Sequence, residues 1–377
     1  MGLNNLGNTC FMNSILQCLN CLPELLLQEM WSPQPGQDAA AAAAGVVRRR
    51  GCAVSAGRFL EAVSAADERW GDGCQQDSQE FLHSLLEQLQ SECNRVRRKP
   101  QYKELSSHGS VLQQAAEAAA YARSWHDSLV DDLFGGQLQS TITCSACGAQ
   151  SHCFDPFLDL SVPLPRGKVQ LSLQVSEETA GQARMGVLFL SACDCLAAFV
   201  EQEVLAGSEA VKCGSCKLTC DATKRLQIFQ CPRLLVLTLK RFNSGSSSSS
   251  RGGGAGAWAG GGGGWFGFSP YSKNQTPVRV DAQHALDLSP YCNQQALQAA
   301  SPGAGAGTGC SRPLYQLLAV SEHSGCLGGG HYTAQGRSVA DGQWYDFNDA
   351  SVAPDSHPSG SSSSAYVLFF RLVGDCL

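Results

Sequence analysis

Two Cys-x-x-Cys pairs, Cys144-Ser145-Ala146-Cys147 and Cys213-Gly214-Ser215-Cys216, constrain this chain more than any other feature. Each pair puts two thiolates on one tight turn. Two such turns complete a tetrahedral four-cysteine site with no open position, the mark of a structural zinc. Sixty-five residues separate the pairs, too many for a compact ribbon, so the metal would pin the tips of two long hairpins. Either pair alone is open to reading as incidental cysteines or a redox dithiol, but neither is followed by a thioredoxin-like βαβ pattern. Cys153, Cys193, Cys195 and Cys220 are close enough in sequence to be alternative ligands and read as ordinary buried thiols.

The wider composition narrows the class. With 377 residues, 43% of them hydrophobic, the chain can bury a substantial core. A formal charge of −6 with no basic run longer than three residues argues against nucleic-acid binding. No signal peptide or membrane span is legible; the most apolar stretch, Gly186 to Val200, carries Asp194. A chain with 19 cysteines and no export signal is expected in the cytosol or nucleus, its thiols reduced, metal-bound or catalytic.

Helical periodicity dominates to about Leu133, with Phe59 to Val63, then Phe81, Leu82, Leu85, Leu86 and Leu89, then alanine-rich Gln113 to Trp125. Beyond Phe134 the texture becomes strand-like: Gln137 to Thr143, Leu234 to Leu239, Leu314 to Val320 and Ala365 to Leu372. Helices first and strands afterwards predict an α+β fold with a cleft between the parts. Pro33 to Gly45, Ser/Gly-rich Asn243 to Trp265 (expected as a disordered loop) and Gln294 to Gly309 read as insertions.

Gly2-Leu3-Asn4-Asn5-Leu6-Gly7-Asn8-Thr9-Cys10 runs a Gly/Asn turn into a helix. Phe11, Ile15, Leu16 and Leu19 share a face, and Pro23 ends the pattern. With Asn8 or Thr9 as cap, Cys10 sits in the first turn. There the helix dipole and free N–H groups are expected to lower its pKa and make it a candidate nucleophile. A base and an orienting group must accompany it. Gly328-Gly329-Gly330-His331-Tyr332 supplies a histidine after glycines, and Trp344-Tyr345-Asp346-Phe347-Asn348-Asp349 supplies two candidate orienters. His323 has equal claim by composition and lacks only that setting. The order Cys, His, Asn is the papain-like one.

Together these residues resemble the ubiquitin-specific proteases, the papain-like deubiquitinases. Gly2 to Leu19 is similar to their cysteine box and Gln75-Gln76-Asp77-Ser78-Gln79-Glu80-Phe81-Leu82 to their second motif. Asp132 to Gly136, leading to Cys144 and Cys147, resembles the entry to zinc-bearing fingers, and Leu234 to Phe242 the strand returning from them. Gly328 to Thr333, Trp344 to Asp349 and Tyr366 to Phe370 resemble the histidine box and closing strands. The resemblance implies a single catalytic domain over 1–377. A helical thumb would reach about 133, fingers and part of a palm 134–242, an insertion 243–272, and the palm with the histidine box 273–377.

It further implies hydrolysis of the bond after the C-terminal glycine of ubiquitin, with Cys10 as nucleophile, His331 as base and Asn348 as its orienter. Asp349 would assist or substitute, and Asn5 would donate to the oxyanion. Asp77 is expected to meet the basic tail of ubiquitin, and Tyr332 to line a narrow glycine channel. One structural zinc would sit on Cys144, Cys147, Cys213 and Cys216. The expected partners are ubiquitin and ubiquitinated proteins, with no nucleic acid or membrane, and a monomer is expected. A silent ubiquitin-binding scaffold, or a protease for another ubiquitin-like modifier, are the alternatives. The cysteine box begins at residue 2, which fits a minimal enzyme or a start lying inside a longer chain.

Overall fold

In the computed structural model of the chain, residues 1–24, 53–105, 108–165, 190–243, 272–299, 312–326, 329–355 and 360–373 are described. Residues 33–45, 244–265 and 300–309 of the expected insertions, and Gly328, lie outside them.

Among the described residues five α-helices precede the strands: α1 (Cys10–Asn20), α2 (Gly57–Ala66), α3 (Ser78–Glu92), α4 (Val111–Trp125) and α5 (Leu129–Phe134). Local chemistry starts three of them. Asp77 caps α3 by accepting from the N–H groups of Gln79 and Glu80; Ser110 and Gln113 form a reciprocal capping box on α4, and Ser128 caps α5. On α3 the apolar residues Phe81, Leu82, Leu85 and Leu86 are buried, as their spacing predicts.

The first helix departs from expectation. Its apolar spacing predicts one buried face, yet every residue from Cys10 to Leu19 is buried. A helix buried all round must satisfy its polar side chains internally. Ser14 accepts from the Ser321 hydroxyl at 3.0 Å and Gln17 donates to the carbonyl of Met1 at 2.8 Å. The helix is therefore the central strut between the other helices and the sheet.

Strands β1 (Gly136–Cys144), β2 (Gln150–Phe157), β4 (Glu203–Leu205) and β7 (Ala222–Gln230) form a four-stranded sheet in the order β2-β1-β7-β4. The β1–β2 turn carries Cys144 and Cys147, and Gly148 takes the left-handed conformation (φ +71°) that the turn requires. The small hairpin β5 (Val211–Lys212) and β6 (Thr219–Cys220) carries Cys213 and Cys216 at its turn. Both knuckles are hairpin tips, but only the first hairpin is long as expected; the strands of the second have two residues each.

The larger sheet has eight strands. Along its main path the order is β12-β11-β10-β9-β13-β8-β3, for β3 (Leu160–Pro163), β8 (Leu234–Lys240), β9 (Leu314–Cys326), β10 (Gly329–Arg337), β11 (Trp344–Asn348), β12 (Ser351–Pro354) and β13 (Ala365–Val373). Only the β3–β8 pair on that path is parallel. The unbroken run Leu234 to Leu239 makes sense here. Leu234 and Val236 join the core beneath the helices, whereas Leu235, Leu237 and Leu239 join a second core on the opposite face. A strand covered on both sides needs no polar alternation. The result is α+β.

Arg241, fully buried just after β8, holds this sheet's surroundings together. Its guanidinium donates to the carbonyls of Ala365, Asn274, Thr276 and Ser362. Removing it orphans several buried acceptors at once, and each such group costs about 1–3 kcal/mol. Arg241→Leu is therefore expected to destabilise the fold by roughly 3 kcal/mol or more, read as a lower urea midpoint at unchanged m-value. A shift under about 1 kcal/mol would contradict the assignment.

Candidate active site

The start of α1 meets β10 and the β11–β12 turn, and the candidate residues converge there. His331 and Asn348 come from β10 and β11, neighbouring antiparallel strands. His331 Nε2 lies 2.8 Å from Asn348 Oδ1. An amide oxygen only accepts, so Nε2 carries the proton and Nδ1 is left as the basic nitrogen. His323 has no such partner. It is buried, its ring centroid 4.6 Å from that of Tyr332, and burial, with Lys273 and His331 nearby, holds its pKa down to about 4.

Cys10 is 2% exposed at the first position of α1. Its pKa is raised, where the sequence predicts it lowered. Burial is the main cause, and the charge of Asp349 adds to it. Backbone hydrogen bonds from Tyr332, Phe11 and Cys10 itself pull in the other direction without winning. The cap also differs from expectation. Thr9 sits at the cap position without a side-chain bond to the helix and instead accepts from the N–H of Leu6, while Asn8 donates to the carbonyl of Gly73. The N–H groups of the first turn stay available to the thiol. Among the described residues no hydrogen bond joins Cys10 to His331.

Among the described residues no hydrogen bond joins Asp349, expected to assist or replace Asn348, to His331; its carboxylate is engaged elsewhere. It sits in a two-residue turn between β11 and β12 with φ +48°, a conformation an aspartate tolerates. From there its carboxylate accepts from Asn5 Nδ2 at 2.9 Å and from Asn13 Nδ2 at 2.8 Å, and its backbone carbonyl accepts from the N–H of Leu3. Asn5 is held from the other side too, because its Oδ1 accepts from the N–H groups of Gly7 and Thr9. One N–H of the Asn5 amide is left to point elsewhere. Gly2 packs against the same turn so tightly that a Cβ there would lie 2.2 Å from the carbonyl oxygen of Ala350.

Asp77 and Tyr332, expected at the tail of ubiquitin, both have partners within the protein. Asp77 Oδ1 caps α3 and Oδ2 accepts from the Tyr366 hydroxyl at 2.7 Å. The Tyr332 ring is buried, and its hydroxyl accepts from the N–H of Ser78. Gln75, to which the sequence assigns no role, crosses from the α3 side to the strand side. Its amide donates to the carbonyl of Gly330 and accepts from the same residue's N–H, beside His331. Its place next to the capping Asp77 is the one signal that could have marked it.

The four expected metal ligands also come together. The sulfurs of Cys144, Cys147, Cys213 and Cys216 lie within 4.8 Å of one another. Cys147–Cys213 and Cys144–Cys216 are 3.7 and 3.9 Å apart, close to the edge of about 3.8 Å that Zn–S bonds of about 2.3 Å give a tetrahedron. The backbone N–H of Cys147 and the thiol of Cys220 hold Cys144 down to about 6, favouring the thiolate a metal needs. This donor set fits zinc. Cys220, expected to be an ordinary buried thiol, is half-buried with its sulfur 3.3 Å from that of Cys144.

Comparison with known proteins shows the family and the fold. The family described as ubiquitin carboxyl-terminal hydrolase matches residues 1–370. Ubiquitin carboxyl-terminal hydrolase 2 of Rattus norvegicus is 33% identical over 99% of this chain and 54% of its own length. Ubiquitin carboxyl-terminal hydrolase 21 of Mus musculus is 32% identical over 100% of this chain and 62% of its own. The chain thus spans little more than half the length of these relatives. Among solved structures, the SAGA DUB module bound to ubiquitin aldehyde is similar in fold, with a TM-score of 0.62 at 22% identity, covering 99% of this chain and 69% of that one.

Because the Asp349 charge raises the Cys10 pKa, Asp349→Asn should lower it and enlarge the thiolate fraction at any fixed neutral pH. Alkylation of Cys10 by iodoacetamide, followed by peptide mass mapping, is expected to speed up roughly two- to tenfold. An unchanged or slower rate would contradict the electrostatic assignment.

Proposed function

The chain belongs to the ubiquitin carboxyl-terminal hydrolase family, and from that premise we propose that it is a cysteine deubiquitinase that hydrolyses the bond after the C-terminal glycine of ubiquitin. The observation that carries the reading is the 2.8 Å pair of His331 and Asn348 on the strands packed against the Cys10 helix. It supplies base and orienter for a thiol held at a helix start.

The electrostatics shape the mechanism. A Cys10 pKa raised by burial means that the resting side chain is a thiol, so its proton must leave as attack proceeds. His331 Nδ1 takes that proton while Asn348 holds the ring through Nε2–H. The Cys10 sulfur adds to the carbonyl carbon, and the oxyanion is met by the remaining N–H of Asn5 and backbone N–H near Cys10. Asp349 fixes the Asn5 amide in that pose. His331 then returns its proton to the leaving amine, and water attacks the thioester by the same general-base route. The tail of ubiquitin would run between the α3 side and β10, where Gln75 grips Gly330, and Asp77 would meet it only with capacity its internal bonds leave free.

On the same reading one structural zinc is held by Cys144, Cys147, Cys213 and Cys216. It would supply cross-linking of the two hairpin tips rather than chemistry, because the four thiolates leave no open position. The protein would act as a monomer on ubiquitinated proteins in the cytosol or nucleus.

Reaction with ubiquitin carrying a thiol-reactive C-terminal group tests the function, with intact mass as the readout. A single adduct is expected on the wild type and none on Cys10→Ala. A folded wild type that forms no adduct would contradict the proposal; retained ubiquitin binding would then favour the scaffold, and an adduct with a different ubiquitin-like probe would favour that modifier. Chelation of the metal is expected to lower the thermal midpoint, since a structural four-cysteine site contributes folding free energy. An active protein without zinc on elemental analysis would refute the site.

A further inference from the structure

Four thiols complete the zinc site, and a fifth lies beside it. The strand register brings it there. Cys144, the last residue of β1, pairs with Ala222 at the start of β7, and the N–H of Ser145 donates to the carbonyl of Asp221 at 3.1 Å. The chain just before Ala222 is therefore folded against the first knuckle. On its other side Cys220 pairs with Val211 at the foot of the second knuckle. Cys220 thus stands between the two hairpins that the metal joins, at the end of the short strand β6.

Its sulfur contacts one member of the set. The 3.3 Å separation from Cys144 is shorter than the 3.7 and 3.9 Å separations between the ligand sulfurs themselves. That distance is below a tetrahedral edge of about 3.8 Å, so Cys144 and Cys220 are not seated as two ligands of one metal at the same time. The contact instead places the Cys220 sulfur against the outside of the four-cysteine set. Among the described residues the sulfurs of Cys147, Cys213 and Cys216 contact other members of the four and have no such outside thiol beside them. Packing alone would be served there by any small side chain; a thiol is also competent to bind the metal.

We propose that Cys220 is a reserve ligand of this site, able to take the position of Cys144 when that sulfur is lost or blocked. The proposal rests on the zinc reading above. A Cys144 sulfur that is lost or alkylated no longer serves as a thiolate ligand; Cys220 would give up its thiol proton to solvent and bind in that place. Four thiolates would again hold the metal, and no oxidant or reductant is required. The knuckle is therefore asymmetric: it tolerates loss of Cys144 and does not tolerate loss of Cys147.

Zinc content per chain, measured by elemental analysis after dialysis against a chelator of moderate strength, tests this. One zinc on the wild type, near-complete retention in Cys144→Ala, and loss of most zinc in both Cys147→Ala and Cys144→Ala/Cys220→Ala are expected. Cys144→Ala losing zinc as fully as Cys147→Ala, or the double variant retaining it, would overturn the proposal. A wild type with no zinc would instead overturn the zinc reading on which it stands. A second measurement avoids variants that lack a knuckle cysteine. In zinc-loaded protein, alkylation of Cys144 by N-ethylmaleimide, located by peptide mapping, is expected to leave zinc bound in the wild type and to release it in Cys220→Ser. Equal release from both would equally overturn the proposal.

Discussion

The carboxylate of Asp349 is the junction on which the site depends. It accepts from Asn5, ahead of the central helix, and from Asn13, within it, and its backbone takes the N–H of Leu3. Hydrogen bonds to an ionised acceptor are roughly twice as strong as neutral ones. One turn residue thus ties together the N-terminal segment, α1 and the β11–β12 hairpin, the last of which is far from the other two in sequence. The same charge also raises the pKa of Cys10. The hold on Asn5 thus comes at the expense of thiolate, and on the proposed mechanism a base must take the thiol proton.

That junction works because its supports are rigid. Helix α1 is buried on every side, and Asn13, Ser14 and Gln17 within it are each engaged in hydrogen bonds. The strands carrying His331 and Asn348 are paired on both edges in the eight-stranded sheet; His331 is held opposite Ser324 and Asn348 opposite Ser351, just beyond the rungs that join the two strands. The two knuckles lie on different hairpins outside that sheet, where a metal held by their four cysteines would cross-link the tips.

How much of this is legible in the sequence follows from how local each signal is. Strands β8, β9 and β13 can be located from their apolar runs because they lie inside the sheet, and α3 from its periodicity and its capping Asp77. Cys10, His331, Asn348 and the four knuckle cysteines sit in motifs whose neighbours mark them, and the structure brings His331 to Asn348 and the four sulfurs together. The contacts of Asp349 cannot be read, because its partners Asn5 and Asn13 are 344 and 336 residues away. The direction of the Cys10 shift is hidden for a related reason: the dipole is visible in a local pattern, whereas burial is a tertiary fact. The internal partners of Tyr332 and Asp77, Ser78 and Tyr366, are likewise distant in sequence and invisible in a local motif.

The central claim is that Asp349 and Asn5 act as one unit on the oxyanion side, while Asn348 serves the histidine. A double-mutant cycle on Asn5→Ala and Asp349→Ala, read as kcat/KM for a fluorogenic amide of ubiquitin, tests it most directly. The account predicts strong non-additivity, with the double variant little worse than the poorer single one. Losses that simply multiply would contradict it, since independent residues would each have lost a separate contribution.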